Sequence, residues 1–428
     1  MENTLIYTSV GKNPDYLKFL DYFVKSLVYT NRSNINILII SDISFHSYVE
    51  SVLKQYTLNW FILDVKDSIT IMDTVTNRLR VFDFPKIYRF PFILYVDLDC
   101  LFVGDLSPIL KNKIEHNKLY VYSENPQFKD LWMHPYILTR EDDRKTGYYN
   151  AEQYNFLERK GKIPLNSGLF LFRTSDIMET HFRYLLDFIP NYKGGYWTDQ
   201  TFLNVYFHLN NVSNFTIFNN DNIVMLASQK LDDVKPSHML VHFNIPHPVF
   251  GQLNNKLEII EEYWNKFRKE HKPVLLQYDT IAHLIKDIVP SNSDIHIAGT
   301  LHKETIEALL DKNPKRLHLV NGKESIVVVK KRYEFYPNVN IMECCPIDII
   351  NKLNDYSTDV VFLNKDDIKF CEYSNDICNK VRKGGLVIGN IEKEEEVSDI
   401  IDCCKKYGMS IIGFSKSENL YYAMYKHV

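Results

Sequence analysis

A chain of 428 residues and 50.5 kDa carries 50 Lys and Arg against 54 Asp and Glu, a formal net charge of −4 with a pI near 6.4. Its length suits about two or three domains, and 45% hydrophobic with 24% charged residues is a globular composition, not a disordered one. The near-neutral balance excludes a dedicated nucleic-acid binder, which would be visibly basic. From the N-terminus, short apolar runs alternate with helical patterns. Thr4–Thr8 predicts a strand, and Tyr16–Tyr29 an amphipathic helix through Leu17, Leu20, Phe23, Val24 and Leu27. Ile35–Ile40, Ser47–Tyr56 and Trp60–Val65 then predict strand, helix and strand. This alternation implies a mostly parallel sheet with helices on both faces.

Phe92–Val96 and Gly168–Phe172 continue the pattern as buried strands. Between them, Glu124–Lys162 is polar, aromatic and weakly periodic, as suits a substrate-facing insertion. A charged helix, Lys256–Lys269, runs into Glu270-His271-Lys272-Pro273, which marks a domain boundary. The alternation then restarts. Asp294–Ala298, Arg316–Val320, Val339–Glu343, Asp359–Leu363 and Leu386–Gly389 predict strands, with helices such as Lys303–Leu310 and Glu395–Tyr407 between them. Ser410–Phe414 and Leu420–Tyr425 predict an antiparallel hairpin. The expected architecture is therefore α/β throughout, with one domain over residues 1–270 and a second α/β domain over 275–428.

Met1–Val10 lacks the basic and apolar regions of a signal peptide, and no apolar run is long enough to span a bilayer. A cytoplasmic setting is expected. The seven cysteines (Cys100, Cys344, Cys345, Cys371, Cys378, Cys403 and Cys404) form no paired CxxC pattern, so they are read as buried thiols and not as a zinc site.

Chemistry concentrates at Tyr95-Val-Asp97-Leu98-Asp99-Cys-Leu-Phe, where a buried strand ends in two carboxylates. Such a pair repels itself and loses solvation, so a cation should compensate it. Mn²⁺ or Mg²⁺ suits hard oxygens and can hold a diphosphate, and ligands bind beyond the carboxyl ends of strands in open α/β sheets. The simpler alternative is a turn capped by aspartates. Asp105, in Gly-Asp105-Leu-Ser-Pro, sits where a helix cap belongs and is taken as structural.

Three further stretches accompany this one: Pro164-Leu-Asn166-Ser167-Gly168-Leu-Phe-Leu-Phe, Trp197-Thr-Asp199-Gln200-Thr-Phe-Leu-Asn204, and His238-Met-Leu-Val-His242-Phe243-Asn244. Together they resemble the retaining GT-A glycosyltransferases of the glycogenin and lipopolysaccharide galactosyltransferase family. Those enzymes carry a DxD after a strand, then Asn-Ser/Ala-Gly, Asp-Gln and His-Phe. The resemblance spans residues 1–265, and Tyr7-Thr8-Ser9 is similar to the family's uridine-binding strand end.

The resemblance implies that Asp97, Asp99 and His242 ligate Mn²⁺, or Mg²⁺, bridging the diphosphate of a UDP-hexose. Tyr7, Thr8 and Leu98 would line the donor site. Arg78 or Arg80 would approach its phosphate and sugar, although either arginine equally suits a helix-face salt bridge. Asn166, Asp199 and Gln200 would contact the sugar, with backbone capping as the alternative for Asn166 and Gln200. Transfer would retain anomeric configuration, either through Asp199 or Gln200 on the β-face or by attack from the leaving-group face. His238 is assigned no metal. The family's Lys-Pro pair after His-Phe is missing; His247 stands in the corresponding stretch. The acceptor would be a hydroxyl of a glycan, protein or lipid, and self-association is left open.

The second domain resembles a Rossmann-type methyltransferase at Thr358-Asp359-Val-Val-Phe-Leu and Val381-Arg-Lys-Gly384-Gly385-Leu-Val-Ile-Gly389. Gly299 is followed by Thr-Leu-His-Lys-Glu instead of spaced glycines, and Asn321-Gly322 replaces the ribose-binding acidic residue. These departures argue against S-adenosylmethionine binding and favour an accessory domain. The alternatives are a bifunctional glycosyltransferase and methyltransferase, or a non-catalytic nucleotide-sugar-binding scaffold.

Overall fold

β-Branched and aromatic runs become strands wherever the sequence clusters them. The computed structural model describes residues 4–31, 35–123, 159–160, 162–189, 198–226, 229–244, 253–270, 276–278, 280–299, 303–320, 333, 335–342, 346–364, 370–391, 396–416 and 420–426. Contacts group the chain into two compact units. One comprises Met1–Phe23, Ile35–Glu50 and Trp60–Trp264; the other comprises Val24–Asn34, Ser51–Asn59 and Asn265–Val428.

The first unit holds β1 (Thr4–Val10), β2 (Asn36–Asp42), β3 (Asn59–Val65), β4 (Phe92–Val96), β5 (Cys100–Phe102), β6 (Leu119–Ser123), β7 (Leu165–Arg173), β8 (Ser213–Asn214), β9 (Ile223–Met225) and β10 (Leu240–His242). Seven strands form one mixed sheet in the order β3-β2-β1-β4-β7-β6-β8. β1 is parallel to β2 and β4, whereas β7 runs antiparallel to β4 and β6. The order reverses between β1 and β4, and that switch point faces the carboxyl ends of both strands, where ligands of open α/β sheets bind. Asp42, buried at the end of β2, accepts from Lys12 N at 2.7 Å, Ser68 N at 3.0 Å and Ser68 Oγ at 2.8 Å, and so ties the loops on this edge together.

Beneath the edge lies an aromatic core. The Tyr95 and Phe170 rings stack with centroids 4.7 Å apart, Tyr7 tilts against Tyr95 at 5.0 Å, and Phe82, Phe172 and Phe182 interlock beside them. Such tilted and offset pairs bury large areas and add directional attraction. A second, three-stranded sheet in the order β5-β10-β9 follows directly on the DxD turn.

The other unit holds β11 (Leu276–Tyr278), β12 (Asp294–Ala298), β13 (Arg316–Val320), β14 (Val339–Met342), β15 (Thr358–Leu363), β16 (Val381–Ile391), β17 (Met409–Lys416) and β18 (Leu420–Lys426). They form one sheet in the order β11-β17-β18-β16-β15-β12-β13-β14. Strands β12 to β16 are parallel neighbours with the reversal between β12 and β15, and β17–β18 is the expected antiparallel pair. Both units are thus Rossmann-like α/β layers. At the amino edge of this second sheet, buried Asp294 meets Arg316 Nε at 2.7 Å, and Asp359 meets Arg382 Nη1 at 2.7 Å. Among the described residues, no helix is long and apolar enough to cross a membrane.

Candidate active site

The turn after β4 is pinned by backbone before any side chain acts. Asp97 N donates to Gly168 O at 2.8 Å, Cys100 N to Asp97 O at 3.2 Å, and Phe243 N to Asp99 O at 3.0 Å. The chain then enters β5, whose antiparallel register with β10 sets Cys100 directly opposite His242. Three elements distant in sequence therefore meet at the switch point: the DxD turn, the start of β7 and the end of β10.

Asp97 and Asp99 take up different environments. The Asp97 side chain keeps 26% of its surface exposed, whereas that of Asp99 keeps 6%. Asp97 Oδ1 accepts from Tyr95 OH at 2.5 Å and lies 3.5 Å from Arg78 Nη1. Asp99 Oδ1 is 3.3 Å from His242 Nε2, which is also 3.8 Å from Asp97 Oδ2. Asp99 Oδ2 is 2.5 Å from Lys256 Nζ. Burial alone would raise the Asp99 carboxyl, but Lys256 and His242 outweigh it and hold the group well below the ordinary carboxylate range. Burial would likewise push His242 down, yet the adjacent Asp99 and Asp97 carboxylates raise it.

Atoms of Asp99, Cys100 and His242 lie within 4.8 Å of one another, a spacing that can hold a metal ion. That group is one carboxylate, one thiol and one imidazole, and Asp97 Oδ2, 3.8 Å from His242 Nε2, brings a second carboxylate beside it, a set that suits a borderline divalent cation. His242 turns Nε2 toward the carboxylates and leaves Nδ1 buried without a hydrogen-bond partner. The bare α-carbon of Gly168 also keeps a space clear: a Cβ there would stand 2.4 Å from Asp97 Oδ2 and 2.5 Å from His242 Cε1.

Arg78 is brought to the site and Arg80 is not. On the 3₁₀ segment Asn77–Asp83, buried Arg78 donates from Nε to Val75 O at 2.9 Å and from Nη1 to Ser167 O at 2.6 Å. Its guanidinium sits 5.0 Å from the Tyr95 ring centroid, a cation–π contact. Arg80 pairs with Asp83 at 3.4 Å and with Asn77 Oδ1 at 3.3 Å on the rim. Tyr7 is fully buried and donates to Arg78 O at 2.9 Å; burial pushes its phenol up despite Arg78 nearby. Thr8 Oγ1 is buried without a hydrogen-bond partner. Leu98 packs inward between the two aspartates.

Asn166 and Gln200 are joined through one strand. Asn166 Oδ1 accepts from Gly168 N at 2.8 Å, the capping arrangement weighed from the sequence. Gln200 Oε1 accepts from Ser167 N at 3.2 Å and Ser167 Oγ at 3.0 Å. One turn on, Asn204 brackets Leu165, accepting from its N at 2.8 Å and donating to its O at 3.0 Å. The helix Thr198–Leu209 is thereby fastened to β7. The Asp199 side chain, His247 and nearly all of Glu124–Lys162 lie outside the described residues.

His238 stands just before β10, not within it, and bonds Asn220 O through Nε2 at 2.9 Å, which accounts for its burial. Asp105 does not hold the N-cap expected of it: that position of the helix Ser107–Leu110 belongs to Leu106, and Asp105 Oδ1, one residue earlier, accepts from Ser107 N at 2.9 Å, a structural role. Lys256 and Tyr95 went unassigned from sequence. Tyr95 is visible there as the residue two before Asp97 on the same strand face. Lys256 carries no such signal, because its partner is far away in the chain.

No protein-family model matches the sequence, and no curated protein matches it. Among solved structures, the chain is similar to the bifunctional glycosyltransferase WbbM in its apo form, at 12% identity over 62% of this chain and 51% of that one, with a TM-score of 0.38. The chain thus spans about half the length of WbbM. It is also similar to the galactosyltransferase LgtC in complex with donor and acceptor sugar analogs, at 16% identity over 61% of this chain and 95% of that one, with a TM-score of 0.40. A third similarity is to the apo form of the glycosyltransferase GlyE of Streptococcus pneumoniae TIGR4, at 15% identity over 89% and 90% of the two chains, with a TM-score of 0.40.

Proposed function

We propose that the chain is a glycosyltransferase that moves a hexose from a UDP-sugar, UDP-glucose or UDP-galactose, to a hydroxyl acceptor with retention of configuration. The observation that carries this reading is the convergence of Asp97, Asp99 and His242 at the switch point of an α/β sheet, with His242 Nε2 3.3 Å from Asp99 and 3.8 Å from Asp97. A divalent cation held by these three residues would neutralise the diphosphate of the donor and the UDP that leaves. Arg78 sets the orientation of Asp97 from the opposite side, and Tyr95 fixes which carboxylate oxygen faces away. Gln200 and Asn204 hold β7, and with it the Asn166-Ser167-Gly168 floor, at constant height. Asp199 or Gln200 serves the sugar face. Residues 1–270 form the transferase domain in this reading.

Mn²⁺ with UDP-glucose or UDP-galactose should release UDP, and Asp99→Ala should abolish that release. Undiminished turnover by Asp99→Ala overturns the assignment, and NMR of the product anomer tests retention. Residues 275–428 are read as a methyltransferase-like accessory domain. The reversal between β12 and β15 and the antiparallel β17–β18 pair support this. Calorimetry of the full chain with S-adenosylmethionine should show no heat at millimolar ligand; saturable binding would favour the bifunctional alternative.

A further inference from the structure

Lys256 is oddly placed for a lysine of its helix. It lies in the first turn of Leu253–Glu270, where the helix dipole disfavours a cation and no acidic residue precedes it in that turn. Its ion pair is instead with Asp99 Oδ2, at 2.5 Å, and its side chain is only 15% exposed. Asp99 therefore has both oxygens engaged, one by an imidazole and one by an ammonium. A buried carboxylate gains much from such a pairing and would be costly without it.

We infer that Lys256 is a built-in competitor for the metal position, a latch whose ammonium occupies Asp99 Oδ2 and must leave it when a divalent cation takes that carboxylate. The inference rests on the metal reading of this site. Two cations at one buried carboxylate repel each other strongly in a low dielectric, so metal and ammonium exclude one another. A lysine suits a displaceable partner: it is a point charge on a flexible four-carbon stem, without the planar fork that locks an arginine to a carboxylate. The latch compensates Asp99 before the metal arrives, so the metal-free site need not bury a bare charge. It also sets the apparent metal affinity, because each binding event must first break the Lys256–Asp99 pair.

Titration of the full chain with Mn²⁺, followed by electron paramagnetic resonance of the free ion, tests this on four proteins: wild type, Lys256→Met, Lys256→Gln and Asp99→Asn. Both Lys256 variants should bind Mn²⁺ about tenfold or more tightly than wild type, and Asp99→Asn should bind it weakly. Equal or weaker binding by the Lys256 variants, with clear binding by wild type, overturns the latch and leaves the metal site standing. Absence of binding in all four overturns the metal reading and the latch together. A second measurement needs no variant. Acetic anhydride labelling of Lys256 in wild type, quantified by mass spectrometry, should rise severalfold when Mn²⁺ is added. Unchanged labelling at a Mn²⁺ concentration that saturates the protein overturns the latch.

Discussion

Gly168 faces Asp97 so closely that a Cβ on the glycine would stand 2.4 Å from Asp97 Oδ2, and 2.5 Å from His242 Cε1. The glycine is thus required by what lies across from it. Gly168→Ala should push the carboxylate and imidazole apart, lower Mn²⁺ affinity by at least about tenfold, and cost about 1–3 kcal/mol of stability through overpacking. Urea unfolding and Mn²⁺ titration measure the two effects separately. Wild-type affinity in Gly168→Ala would show that the gap between Asp97 and His242 is not used.

Arg78 and Arg80, two residues apart, should respond unequally to substitution. Arg78→Lys loses the Nε bond to Val75 O and the Nη1 bond to Ser167 O, both in buried surroundings. A lysine cannot reproduce that fork. The expected cost is about 1–3 kcal/mol, together with weaker UDP binding as Asp97 loses its orienting partner. Arg80→Ala removes a rim ion pair and should stay within about 0.5 kcal/mol of wild type. Urea midpoints and calorimetry with UDP separate the two cases.

The periodicity of the sequence made most of the fold legible. Phe92–Val96 and Asp294–Ala298 coincide with β4 and β12, and the second sheet's parallel strands and terminal hairpin follow the apolar runs. Leu386–Gly389 is only the core of β16, which begins at Val381 because the strand passes through Gly384 at φ +80°, a conformation that reads locally as a turn. The helical stretch from Ile71 to Asp83, which delivers Arg78, has no clear period and went unassigned. β5 and β10 are three residues each, too short for any pattern, and their register alone sets Cys100 across from His242. In the site itself, chemically distinctive residues were legible and their partners were not. Lys256 is one charge among many on its helix, and only the fold reveals that it meets Asp99.

Gln200 has a structural duty that can be separated from any contact with sugar. Gln200→Ala strands the buried Ser167 N and Oγ without their acceptor and should cost about 1–3 kcal/mol. Gln200→Glu keeps an acceptor oxygen at the same reach and should recover most of that stability. If Gln200 acts on the sugar, Gln200→Glu still loses kcat while its KM for donor changes little. Wild-type stability in Gln200→Ala would show that Ser167 finds another partner.

Two buried histidines should make the protein acid-labile. His208 bonds Ile163 O through Nε2 at 2.7 Å and Ser213 Oγ through Nδ1 at 2.8 Å, and burial pushes it from its ordinary 6.5 down to about 4. In the other unit, burial, and then the ring of His318 stacked 4.3 Å away, push His296 down to about 3. Both groups stay neutral in the fold while the unfolded chain takes up protons below pH 6.5, so the unfolded state binds more protons and stability falls as pH drops from 6.5 toward 4. Each histidine contributes a slope of about 1.4 kcal/mol per pH unit through that window. His242, raised by its carboxylates, gives a slope of opposite sign above pH 6.5, where the unfolded chain releases its proton first. Urea midpoints measured between pH 6 and 4.5 should therefore decline steadily. His208→Gln keeps a donor toward Ile163 O but cannot titrate, so it should flatten the slope of the unit that contains it. An unchanged slope in that variant would mean that His208 already carries its proton in the folded protein.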